Sequence, residues 1–74
     1  MPKLPVVSGD DLVRALQKLG YSIDRIRGSH MSLRCEGRPP LTVPRHRELD
    51  RGTLRGILRD GDISVEQFLE LLKK

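Results

Sequence analysis

Residues 25–35 read Arg-Ile-Arg-Gly-Ser-His-Met-Ser-Leu-Arg-Cys, and this stretch decides the fold. From Met31 to Cys35 apolar and polar side chains alternate, which is the period of a strand with one buried face. Gly28-Ser29 has the Gly-X composition of a two-residue hairpin turn. The sequence therefore predicts two antiparallel strands joined by a tight turn.

The turn also predicts which residues of the hairpin face each other. Arg27 lies opposite His30, and Ile26 lies opposite Met31, because a two-residue loop pairs the residues that flank it. Ile26 and Met31 then face the core, as do Leu33 and Cys35 further along the second strand. The opposite face carries only polar side chains, which are Arg25, Arg27, His30, Ser32 and Arg34.

The rest of the sheet follows from turn and breaker residues. Continuing the ladder would pair Asp24 with Leu33 on the core face, so we predict a bulge or a fraying of the pairing near residues 23–24. The Gly- and Pro-containing segment 36–40 predicts a turn, residues 41–43 a short third strand, and Pro44 its end.

Three helices are predicted from capping residues and apolar stripes. The first follows Ser8 and ends at Gly20, the second follows Asp50 and ends at Gly61, and the third follows Ser64. Their apolar stripes are Leu12, Ala15, Leu16 and Leu19, then Leu54, Ile57 and Leu58, then Val65, Phe68, Leu69 and Leu72. We expect one α+β domain over residues 1–74, with order α-β-β-β-α-α, helices on one face of the sheet and an open polar face.

The whole chain has a net charge of +4, and the positive charge is concentrated in its middle. Residues 25–59 hold nine arginines against three acidic residues, so this segment carries +6. Guanidinium groups match phosphate oxygens, which favours a polyanionic partner, although a solubilising surface has the same composition. Tyr21 and Phe68 are the only aromatic residues, so we expect contacts to the nucleic-acid backbone rather than base stacking.

Several functional classes are disfavoured by composition. No apolar run approaches the roughly 20 residues of a membrane span, and no apolar signal-peptide segment follows the N-terminus. Cys35 has no second cysteine to pair with, so we expect a reduced, cytoplasmic protein. The sequence has no Cys/His cluster and no glycine-rich phosphate loop, and we expect neither a metal nor a cofactor.

His30 is the candidate for proton transfer on the polar face of the hairpin. Histidine can accept and donate a proton near neutral pH, and RNA brings its own nucleophile, the ribose 2′-OH. Arg25, Arg27 and Arg34 share the face and could hold phosphate oxygens as charge develops. Without further context, however, a strand histidine beside a turn is more often an ordinary surface residue than a catalyst. His46 is a weaker candidate for a second proton-transfer group, because a surface position or a phosphate contact is the more frequent role of a histidine in a basic loop.

The order and spacing of short segments along nearly the whole chain resemble the HicA toxin family, the ribonuclease half of HicAB toxin–antitoxin pairs. The segments that carry the resemblance are Ser8-Gly9-Asp10-Asp11-Leu12, Lys18-Leu19-Gly20-Tyr21, Arg27-Gly28-Ser29-His30, Thr42-Val43-Pro44-Arg45-His46, residues 49–59 and Ile63-Ser64-Val65-Glu66-Gln67-Phe68. The resemblance implies a fold similar to the double-stranded-RNA-binding domain, with an extra short C-terminal helix. It also implies that His30 is the catalytic residue of an mRNA-cleaving, metal-independent endoribonuclease.

The implied partners are an mRNA substrate and a HicB-like antitoxin, which would cover the active face. Sequence-specific DNA binding by this chain itself is not expected, and neither is membrane binding. We predict phosphate contacts for Arg25, Arg27, Arg34, Arg45 and His46. Two alternatives use the same basic face, namely a non-catalytic RNA-binding module and a domain that docks an acidic protein.

Overall fold

The fold is a three-stranded sheet with three helices, described here by a computed structural model over residues 3–73. The elements in chain order are α1 (Gly9–Lys18), β1 (Ser22–Arg27), β2 (His30–Cys35), β3 (Arg38–Pro44), α2 (Arg51–Asp60) and α3 (Val65–Leu72). The strands are antiparallel, and their spatial order is β1-β2-β3. The predicted α+β order, including the additional C-terminal helix, is confirmed.

The β1–β2 hairpin has the predicted register. Arg27 pairs with His30 and Ile26 pairs with Met31, and the turn residue Gly28 has a φ of +60°. A positive φ at the first turn position is what a Gly-X hairpin turn requires. The register shifts between Ile23 and Arg25 while the pairing continues to Ser22, so of the two predicted irregularities the structure has the bulge.

The third strand is longer than the predicted residues 41–43. It begins at Arg38, which pairs with Cys35, so the connection is a two-residue turn rather than the predicted turn over 36–40. Gly37 in this turn has a φ of +81°. Two consecutive prolines fit inside the strand because they lie at the register shift between Leu33 and Cys35, where the ladder has no regular pair, and because β3 is an edge strand with one side free of partners.

The core lies between one face of the sheet and the helices, as predicted. Its fully buried side chains come from all three helices and from β2 and β3, and they include Leu12, Leu16, Met31, Leu33, Val43, Leu54, Leu58 and Phe68. This burial supplies most of the driving force for folding. The other face of the sheet is open, which leaves the polar side chains of the hairpin accessible.

Two residues predicted to face the core are not buried. The first is Ile26, which is 48% exposed; Ile23 in the same strand, which was not assigned to the core, is 41% exposed. Both point toward the helix side, but β1 is an edge strand, and α1 and α2 pack mainly against β3. Cys35 is only half-buried, because it ends β2 at the rim of the core next to Leu19.

The helix starts follow the predicted caps. Ser8 and Asp11 form a reciprocal capping box, and the hydrogen bonds with Ser8 lower the pKa of the Asp11 carboxyl. Asp50 and Ser64 each accept a hydrogen bond from a backbone N–H in the first turn of α2 and α3. Within residues 3–73, no helix combines the length and the apolar character that crossing a bilayer requires.

Candidate nucleic-acid interface

The open face of the hairpin holds a shallow depression around His30. It has a volume of about 270 Å³ and is lined by Arg25, Arg27, His30 and Ser32. His30 and the two arginines are exposed, and Ser32 is half-buried. Alternation along two paired strands brings these four side chains to one face, since Arg27 pairs with His30 and Arg25 pairs with Ser32.

The imidazole of His30 is exposed to solvent and has no side-chain partner among the described residues. Within residues 3–73, the side chain of His30 forms no hydrogen bond and no ion pair. Arg25 and Arg27 likewise make no ion pair with an acidic residue in that range. An unpaired imidazole beside two unpaired guanidinium groups can bind an anion and transfer a proton at the same place.

Arg34 lies on the same face but is already paired. Its Nε is 3.3 Å from Oδ2 of Asp24, the residue that the bulge adds to β1. The two residues line a second depression of about 350 Å³ that adjoins the first through Arg25 and Ser32. The exposed ion pair is worth no more than about 1 kcal/mol, so a phosphate could replace the carboxylate at little cost.

The β3–α2 loop brings Arg45 and His46 to the turn end of the hairpin. Pro44 pairs with His30, and the N–H of Arg45 donates to the carbonyl oxygen of Ser29. The guanidinium of Arg45 is 3.3 Å from Oδ1 of Asp10 at the start of α1. The structure therefore places Arg45 and His46 at the rim of the open face of the hairpin, outside the depression around His30.

Backbone contacts to the start of α1 fix the position of this loop. The N–H of Gly9 donates to the carbonyl oxygen of His46 at 2.9 Å, and the N–H of Leu49 donates to the carbonyl oxygen of Val7 at 2.8 Å. Gly9 lies so close to β3 that a Cβ added there would be 2.2 Å from the carbonyl oxygen of Pro44. Only glycine allows this approach, because the opposing atom belongs to backbone that cannot rotate away.

Gly9→Ala is expected to lower the free energy of unfolding by about 1–3 kcal/mol, since the added methyl group must push Pro44 away. The matched control is Gly52→Ala in α2, where an added Cβ meets nothing within 4 Å. That change should leave stability equal or raise it by up to about 1 kcal/mol, because alanine is the better helix former. Urea denaturation measures both, and equal stabilities would contradict the close approach at Gly9.

The nine arginines of residues 25–59 do not lie on a single surface. Arg25, Arg27 and Arg34 face outward from the sheet, whereas Arg51, Arg55 and Arg59 are exposed along α2. Arg38 bends toward the end of α2 and donates to the carbonyl oxygen of Gly61 at 3.3 Å. Charge density along the sequence therefore overstates the number of arginines that surround His30.

Ser32 is the residue of the depression to which sequence reasoning gave no role. The alternation of β2 places its hydroxyl between Arg25 and the third strand, where Thr42 is its partner. Hairpin register was the signal that could have found it. A serine hydroxyl at this position can donate a hydrogen bond to a phosphate oxygen.

Metal-ligating side chains do not gather at this face. Within the part of the chain that the structure describes, no three His, Cys, Asp or Glu residues lie close enough together to hold a metal ion. The functional groups that line the depression are the imidazole of His30, the guanidinium groups of Arg25 and Arg27, and the hydroxyl of Ser32. Such a set can bind a phosphodiester and move a proton.

Comparison with known proteins identifies the family. No curated protein sequence matches the chain. A sequence model of the family described as the HicA toxin of bacterial toxin–antitoxin systems matches residues 9–63, which extend from the first residue of α1 to just beyond α2. The match covers well over half of the 74 residues, including the whole hairpin and the β3–α2 loop. The chain belongs to the HicA toxin family.

Proposed function

We propose that this toxin is an endoribonuclease that cleaves mRNA with His30 as its catalytic residue. Membership of the HicA family assigns a toxin role in a toxin–antitoxin system and implies a HicB-type antitoxin partner. The observation that carries the proposal is the depression in which His30 stands beside Arg25 and Arg27 with no competing partner among residues 3–73.

The proposed reaction uses the 2′-OH of the RNA as nucleophile. His30 removes the 2′-OH proton, the 2′-oxygen attacks the adjacent phosphorus, and the bond from phosphorus to the 5′-oxygen breaks. The leaving 5′-oxygen takes a proton from water, and the hydroxide left behind takes the proton from His30, which restores the neutral imidazole. The products are one fragment that ends in a 2′,3′-cyclic phosphate and one that begins with a 5′-hydroxyl.

Arginine supplies the charge that the pentacoordinate phosphate needs. Arg27 is directly across the hairpin from His30, and Arg25 lies on the same face of the same strand, so both can hold non-bridging oxygens. Arg34 and Arg45 can bind flanking phosphates by exchanging Asp24 and Asp10 for the RNA backbone. His46, exposed at the rim, is assigned a further phosphate contact.

The reaction is expected to need no metal ion, because the imidazole and the guanidinium groups cover both proton transfer and charge stabilisation. Purified protein should therefore cleave RNA in the presence of EDTA and leave 2′,3′-cyclic phosphate ends, which mass spectrometry of the fragments detects. Loss of cleavage in EDTA with recovery in Mg²⁺, or fragments with 5′-phosphate ends, would contradict the mechanism. Salt-sensitive binding without any cleavage would instead identify a non-catalytic RNA-binding module.

The biological counterpart of this experiment is growth arrest in a bacterial host. Induced expression of the chain alone should stop growth and deplete mRNA in the cytoplasm, where the substrate is found. Co-expression of a HicB-type antitoxin should restore growth. Arrest with intact mRNA would show that the toxin acts on another target.

A further inference from the structure

The two edges of the sheet differ in how well they are protected against added strands. The edge formed by β3 contains Pro39, Pro40 and Pro44, which have no N–H to donate. The edge formed by β1 (Ser22–Arg27) contains neither proline nor lysine, and all six of its residues are exposed. The bulge between Ile23 and Arg25 and the charges of Arg25 and Arg27 disfavour pairing with a strand of like charge, but the outer N–H and C=O groups of β1 stay accessible to a strand of opposite charge.

Strand β1 also presents different chemistry on its two sides. Ile23 and Ile26, 41% and 48% exposed, face the helix side of the sheet beyond the reach of the helices. Arg25 and Arg27 face the open side. An added strand would therefore meet apolar side chains on one face and guanidinium groups on the other.

We propose that β1 binds an extended segment of a partner protein in which apolar and acidic residues alternate, so that the segment becomes a fourth strand. Its backbone would complete the hydrogen-bond ladder of β1, its apolar side chains would cover Ile23 and Ile26, and its carboxylates would pair with Arg25 and Arg27. Binding through the backbone gives affinity, and the alternating side chains give specificity.

Charge decides the occupant of this edge. A second copy of the chain paired through β1 would place Arg25 and Arg27 of one copy against the same arginines of the other, and like charges directly opposite each other are destabilising. Neither arginine has an acidic partner within residues 3–73, whereas Arg34 and Arg45 do. RNA would satisfy the arginines but leave both isoleucines exposed. A segment that is acidic on one face and apolar on the other satisfies both faces.

Such a segment would also act on the depression around His30, a consequence that rests on the proposed function. Arg25 and Arg27 are the residues through which β1 lines that depression. Carboxylates paired with them would compete with RNA phosphates for the same guanidinium groups. Docking at β1 would thus inhibit RNA cleavage without any contact to the imidazole.

The probe is a synthetic heptapeptide, acetylated and amidated, that alternates glutamate and valine. Titrated into the ¹⁵N-labelled protein, it should shift the backbone amides of Ser22–Arg27 most strongly and inhibit RNA cleavage. A peptide with the same residues in two blocks should bind at least about five-fold more weakly, because it cannot present one chemistry per face. Equal binding of both peptides, strongest shifts outside β1, or no binding would overturn the proposal.

A double variant separates the docking surface from the catalytic face. Ile23→Thr with Ile26→Thr keeps β-branched residues in the strand but removes the apolar contacts, so peptide binding should weaken about five- to ten-fold while RNA cleavage stays unchanged. The matched control is Val6→Thr, which replaces an exposed apolar residue outside β1. This variant should bind the peptide as tightly as the wild type.

Further outcomes keep this proposal distinct from the proposed function. The docking site would be overturned if the Ile23→Thr, Ile26→Thr variant bound the peptide with wild-type affinity. It would also be overturned if sedimentation showed that the wild-type protein is a dimer and that the variant is not. Absence of RNA cleavage in the wild type would overturn the nuclease proposal alone, since peptide binding is measured independently by the amide shifts.

Discussion

Replacing His30 by glutamine is expected to lower the rate of RNA cleavage by about 100- to 10,000-fold, the usual contribution of a general acid or base. Glutamine keeps the size and hydrogen-bonding capacity of the side chain but cannot carry the proton. Because His30 is exposed, the free energy of unfolding should change by no more than about 0.5 kcal/mol. The rate is measured on a fluorescent RNA in EDTA, and thermal melting checks the fold.

The second histidine provides the matched control. His46 is also exposed, but it lies in the β3–α2 loop and not in the depression. His46→Gln should cost less than about ten-fold, because a single phosphate contact to an exposed side chain contributes about 1 kcal/mol. Equal losses in the two variants, or undiminished cleavage by His30→Gln, would remove His30 from the catalytic role.

The hairpin could be predicted from the sequence in detail because its information is local. Gly28-Ser29 defines the turn, the turn defines the pairing of Arg27 with His30, and strict alternation then assigns the faces. Even the bulge was predictable, since an acidic residue at position 24 could not occupy the core face. The helix caps at Ser8, Asp50 and Ser64 are equally local signals.

Burial was less predictable because it depends on elements distant in sequence. Alternation states correctly that Ile26 faces the helix side, but only the tertiary packing shows that no helix extends far enough to cover β1. The pairing of Arg34 with Asp24 depends in the same way on the bulge geometry. The predicted β3 was too short because two prolines normally indicate a turn, whereas here they lie at a register shift of an edge strand, where the ladder does not need their N–H groups.

The last helix shows how far the structural core extends beyond the family match. The match ends at residue 63, yet Phe68 of α3 is completely buried and belongs to the same core as the residues of α1 and the sheet. Helices α1 and α3 are in contact, and Lys18 donates to the carbonyl oxygen of Leu71. We therefore expect α3 to be required for folding of the part that carries His30.

Phe68→Ala should lower the free energy of unfolding by about 3–5 kcal/mol, because it leaves a cavity where an aromatic ring was fully buried. A domain of this size has a total stability of roughly 4–11 kcal/mol, so the substitution removes a large share of it, and RNA cleavage should fall by the fraction of molecules that unfold. Urea denaturation followed by circular dichroism measures the loss. Leu69→Ala, one position along the same helix but half-buried and outside the core cluster, is the control and should cost less than half as much. Similar small losses for both would mean that α3 is an appendage, and the segment matched by the family would then fold without it.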